Sequence, residues 1–93
     1  MTELILVSSN LEDEERVLNS DIVEKFYFSF IDSNSALTKK EAYAIKADWG
    51  ARKEPFALIK YRDKVLRCFY SENSSNVIDE ALEFIKGLQE TYG

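Results

Sequence analysis

The chain has no histidine, one cysteine, one proline, one tryptophan and three glycines in 93 residues. Each scarcity removes a class of chemistry. Without histidine, the usual general base for a serine or cysteine nucleophile is missing, and so is a common zinc ligand. A single thiol, Cys68, cannot close an intramolecular disulfide, and nothing reads as a secreted disulfide scaffold. No stretch approaches the roughly 20 apolar residues of a membrane helix. The apolar run Leu4–Val7 is too short for a signal-peptide core and follows no basic segment. These absences set the expectation of a cytoplasmic protein with no membrane partner. On that expectation the triplet Asn73-Ser74-Ser75 has no glycosylation consequence. A net charge of −5 argues against nonspecific nucleic-acid binding, which needs a basic footprint.

What is present is enough for one small domain spanning 1–93, with 45% apolar residues and large Phe and Tyr side chains to fill a core. The charge is uneven. Residues 1–35 hold eight acids and two bases, residues 36–67 hold nine bases and four acids, and residues 68–93 hold five acids and one base. The basic middle comprises Lys39, Lys40, Lys46, Arg52, Lys53, Lys60, Arg62, Lys64 and Arg67. It reads either as solvated helix and hairpin faces or as a surface for an acidic partner.

Along the chain, Leu4–Val7 fits a strand buried on both faces. Ser9 or Asn10 caps a helix whose first turn carries Glu12–Glu15, with Val17, Leu18 and Ile22 as its apolar stripe. Lys25–Asp32 reads as a second strand with Phe26, Phe28 and Phe30 on one face. The loop Asp32-Ser33-Asn34-Ser35 starts like a calcium loop, but Leu37 stands where glycine is required and Tyr43 where the closing Glu is required. Thr38-Lys39-Lys40-Glu41 predicts a capping box, and Gly50 a left-handed helix stop. Phe56–Tyr61 and Val65–Tyr70 predict a hairpin. Ser75 or Asn76 opens a last helix with Ile78, Ala81, Leu82, Ile85 and Leu88 on one stripe, widened by Phe84 and Tyr92. The order β-α-β-α-β-β-α predicts an α/β domain: a four-stranded mixed sheet, first two strands parallel, with helices on both faces.

That order resembles the thioredoxin-like fold. The segment Trp49-Gly50-Ala51-Arg52-Lys53-Glu54-Pro55-Phe56 is similar to the family's aromatic-Gly-x-x-x-x-Pro stretch, and the run through Val65 to its hairpin. The resemblance implies a cis peptide bond before Pro55, and the residues support it independently, since only X-Pro bonds accept cis at low cost and a lone proline entering a strand sits where a tight turn is needed; the alternative is a trans strand-entry proline. It also implies a Cys-x-x-Cys at the start of the first helix, where this chain has Ser8-Ser9-Asn10-Leu11-Glu12. The family's buried acid on the first strand is missing as well. The resemblance thus extends to fold and stops short of dithiol chemistry.

The leading expectation is a redox-inactive protein-binding module with no cofactor, no metal and no catalytic residue. Its binding residues are Ser8, Ser9, Asn10 and Leu11 beside Lys53, Glu54 and Pro55. Family members pair backbone atoms before the cis-proline with an extended partner chain, and Glu54 would supply those groups here. One alternative is a small charge-driven interaction or inhibitor protein, of the sort viruses encode, acting through Glu12–Glu15 or Lys39/Lys40. Another is a thiol or glutathione-related enzyme using Cys68 or a site near Ser9. Cys68 reads first as a small core residue, and Trp49 as a core residue closing its helix or as a partner anchor. The chain is expected to be a monomer or a weak homodimer paired through an edge strand or an aromatic face.

Overall fold

The structure is a computed structural model that describes residues 1–92, with side chains through Gln89. The elements run β1 (Thr2–Ser8), α1 (Leu11–Leu18), a 3-10 turn (Val23–Lys25), β2 (Tyr27–Asp32), α2 (Lys39–Asp48), β3 (Phe56–Tyr61), β4 (Lys64–Phe69) and α3 (Val77–Tyr92). They build a four-stranded mixed sheet in the order β2-β1-β3-β4. β1 runs parallel to β2 and antiparallel to β3, and β4 runs antiparallel to β3. The apolar runs of β1 and β3 lie in the two central strands, where both faces of the sheet are covered.

Two cores result. Leu4, Leu6, Ala57, Ile59 and Phe69 point to one face and pack with Val17 of α1 and Val77, Ile78, Ala81 and Ile85 of α3. Phe26 is buried in that core, and Phe28 and Phe30 pack against it partly exposed. The residues of opposite parity, Val7, Ile31, Phe56 and Leu58, meet Ala42 of α2 and Ala51 on the other face.

Local chemistry sets the ends of the elements. Asn10 is the N-cap of α1, its side-chain oxygen accepting the Glu12 N–H at 3.0 Å. At the end of α2, Gly50 adopts φ +68°, Ala51 N–H reaches Lys46 O at 2.9 Å and Gly50 N–H reaches Ala47 O at 3.2 Å. These two bonds make the Schellman closure that a left-handed glycine permits. Asn76 Oδ1 accepts the Asp79 N–H at 3.3 Å as α3 begins.

Several expectations are corrected. Thr38 precedes α2 but makes no capping bond; its hydroxyl donates to Asp32 O at 2.6 Å, so the capping box does not form. The second strand begins at Tyr27 rather than Lys25, because Val23–Lys25 coils into the 3-10 turn. Leu18 is exposed, which leaves Val17 and Ile22 as the buried residues there. Trp49 is 40% exposed and belongs to neither core. The hairpin turn is tighter than expected, with Tyr61 paired to Lys64 and Arg62 at φ 57°. The side chain of Tyr92, placed on the last stripe by the sequence, lies outside the described residues.

Candidate functional site

β1 and β2 end together, and β3 starts beside them: Ser8 is paired with Asp32, and Val7 with Phe56. Three loops therefore meet at one end of the sheet. They are Ser9-Asn10 after β1, Ser33–Thr38 after β2, and Ala51–Pro55 before β3. The Glu54–Pro55 peptide bond is cis.

Glu54 joins these loops. Its carboxylate accepts the Ser33 hydroxyl at 2.6 Å and the Lys46 ammonium at 2.7 Å. The Lys46 and Glu54 side chains are 12% and 18% exposed. Burial alone would push the Glu54 carboxyl up. The hydrogen bonds from Lys46 and Ser33, the Lys46 charge and the Ser9 main-chain N–H outweigh it and hold the carboxyl below its ordinary value of 4.5.

Beside this cluster lies a cleft of about 540 Å³, lined by Ser9, Ser33, Asn34, Lys39, Ala42, Tyr43, Lys46, Arg52, Lys53 and Glu54. Its size falls within the roughly 300–1,000 Å³ of ligand pockets. One wall is α2, which contributes Lys39, Ala42, Tyr43 and Lys46 at helical i, i+3, i+4, i+7 spacing. The Lys46 ammonium also lies 5.3 Å from the Tyr43 ring centroid. The segment before Pro55 also lines the cleft, and Arg52, Lys53 and Glu54 make no backbone–backbone hydrogen bond among the described residues.

Of the residues singled out from the sequence, Ser9, Lys53 and Glu54 come together on this cleft. Ser8 is buried, with 1% exposure, and its hydroxyl donates to Asp13 Oδ2 at 2.7 Å while accepting the Asn10 N–H at 3.0 Å. It shapes the loop from below. Asn10 is occupied as the α1 cap, Leu11 is exposed, and Pro55 is half-buried; none of these lines the cleft. Sequence reasoning missed Ser33, Asn34, Tyr43 and the side-chain role of Glu54. The spacing of Lys39, Tyr43 and Lys46 on one helix face was the available signal.

Other candidates are weaker. Cys68 is half-buried on β4 opposite Leu58 and packs against the α2-side core. Burial pushes its thiol up, and the Arg67 charge offsets this only in part. Arg67 itself lies over the rings of Phe69 and Phe84, at 5.0 and 5.8 Å. A larger hollow of about 820 Å³ opens at the opposite end of the sheet, lined by Met1, Thr2, Tyr61, Leu66, Phe84 and Leu88 among others. Its exposed lining is mainly apolar, with Thr2, Glu24, Lys25, Tyr61 and Gln89 as its polar members. Among the described residues no cluster of His, Cys, Asp and Glu could hold a metal ion, and no helix is long and apolar enough to cross a membrane. No protein-family model and no curated protein sequence matches the chain.

Proposed function

We propose that the chain is a redox-inactive, thioredoxin-like protein-binding module that takes an extended segment of a partner along the loop before Pro55. What carries the reading is the main chain of Arg52–Glu54. It makes no backbone–backbone hydrogen bond among the described residues and borders an open cleft. Such a segment offers donors and acceptors to a partner strand, and strand addition needs no cysteine. The strand order and directions agree with those the family resemblance implies. The position where the family carries its reactive thiol holds Ser8-Ser9-Asn10, and the one thiol of the chain is elsewhere and half-buried. Ser9 faces the partner across the cleft, while Ser8 and Asn10 fix the loop that carries it.

The test is affinity capture from a lysate of the native host. It compares the wild type, a variant with residues 52–53 replaced by Gly-Ser, and a variant with residues 9–12 exchanged for an unrelated helix start. Loss of one and the same partner from both variants is expected. Retention of every partner by both would sink the proposal. An insulin-reduction assay is expected to be blank.

A further inference from the structure

The cleft carries a charge that the protein as a whole does not. The chain is acidic, with a net charge of −5, yet four cations line this one cleft (Lys39, Lys46, Arg52 and Lys53) against a single carboxylate, Glu54. That carboxylate is already taken, since Lys46 holds it at 2.7 Å. The side chains of Lys39, Arg52 and Lys53 form no ion pair among the described residues. Three unneutralised cations thus surround the mouth of a concave site, where low-dielectric walls concentrate their field. Arg52 and Lys53 sit on the same segment whose main chain is open to pairing, so a chain laid there would pass its side chains beside them.

We infer that the segment bound in this cleft is acidic, with carboxylate side chains held by Lys39, Arg52 and Lys53 as its backbone runs beside Arg52–Glu54. This rests on the protein-binding reading above and adds the chemistry of the partner to it. Glu54 then has a second role. It is an internal anion that occupies Lys46, sets how much positive charge is left for the partner, and competes with the partner's carboxylates for that ammonium. Charge complementarity of this kind acts mainly on encounter rate and partner choice, and it weakens with salt.

The experiment is an NMR titration of the isotope-labelled full chain with three probes: terminally blocked hexaglutamate, blocked hexaglutamine, and glutarate. Hexaglutamate is expected to shift the amides of Ser9, Ser33, Asn34, Arg52 and Lys53, to bind about tenfold or more tightly than hexaglutamine, and to weaken as salt rises. Arg52→Glu, at an exposed position, is expected to weaken it by about tenfold. Glu54→Gln, which releases Lys46, is expected to tighten it severalfold. A residue needed only for structure would not give that opposite sign.

Equal binding of hexaglutamine and hexaglutamate would overturn the acidic assignment and leave the strand-pairing reading standing. Glutarate binding as tightly as hexaglutamate would support the anion site and remove the extended chain from the reading. Amide shifts spread along Lys60, Arg62 and Lys64 of the hairpin, or none on adding hexaglutamate, would overturn the site itself. A phosphoserine peptide bound more than about tenfold tighter than hexaglutamate would overturn carboxylate in favour of phosphate.

Discussion

The two faces of the sheet are finished differently. On one, α1 and α3 together cover Leu4, Leu6, Ala57 and Ile59, and the exposed pair Arg16–Asp79 at 2.8 Å links the two helices. On the other, α2 stands alone over Val7, Ile31, Phe56 and Leu58 through Ala42 and the half-buried Ile45. The first face is a continuous core. The second buries less and turns the remainder of its helix, Lys39, Tyr43 and Lys46, toward a charged cleft. The contrast is a division of burial: the doubly covered face carries most of the core, while the single helix of the other face also lines the cleft.

The largest test of that division compares two isoleucines. Ile85→Ala on α3 removes a fully buried side chain and is expected to cost about 2–5 kcal/mol in urea unfolding. Ile45→Ala on α2 is expected to cost about 1 kcal/mol, because that side chain is partly exposed. Equal costs would break the comparison.

Next comes Glu54→Gln, expected to cost about 1–2 kcal/mol at neutral pH by leaving the half-buried Lys46 ammonium without its charged partner. The pH dependence has a definite sign. The folded carboxyl titrates below its ordinary value of 4.5, so its stabilisation is present above 4.5 and is lost as pH falls through the lower, folded-state value. Urea midpoints measured from neutral pH down to acid should show that loss in the wild type and a smaller one in Glu54→Gln.

A smaller effect separates two residues at the start of α2. Thr38→Val is expected to cost about 1 kcal/mol, since it deletes the 2.6 Å hydrogen bond to Asp32 O. Glu41→Ala is expected to stay within about 0.5 kcal/mol, because no capping box depends on it. Thermal unfolding of both variants checks the pair. Finally, Cys68 reports on the singly covered face without altering it. Its thiol is expected to react slowly at neutral pH and faster than global unfolding alone would allow, because it is only half-buried on the edge strand β4. A labelling rate equal to the global unfolding limit would show the two faces opening together.

Much of the fold was legible in the sequence because its signals are local. The apolar runs of β1 and β3, the glycine at position 50 and the asparagines at 10 and 76 each act within a few residues of themselves. Where the reading failed, a contact or turn that residue type and spacing do not reveal had decided the outcome. Thr38 has the residue type and spacing of a cap, but Asp32 O lies within reach of its hydroxyl, and the backbone at Thr38 sits at φ −116° and ψ −1° instead of extended. Trp49 looked large enough to belong to a core, yet the Schellman turn at Gly50 leaves it outside both. The site was legible only in pieces. Ser9, Lys53 and Glu54 were named because the family resemblance implies a binding groove between their two loops. Spacing puts Lys39 and Lys46 on one helix face, but that this face and Arg52 line the same cleft depends on tertiary packing, which spacing alone does not encode. Glu54 was expected to contribute its backbone, and its side chain proves to be the junction.

That junction has a consequence for recognition. Ser33, Lys46 and Glu54 come from three separate segments and meet within 2.7 Å of one carboxylate. The walls of the cleft are thus fastened to each other before anything binds. A partner arriving there would not have to order the Ser33 and Glu54 loops against α2, a cost of roughly 1–2 kcal/mol for each backbone residue ordered. The same fastening makes the cleft rigid in what it accepts, so its choice among partners would be made by shape and charge already in place and not by adaptation.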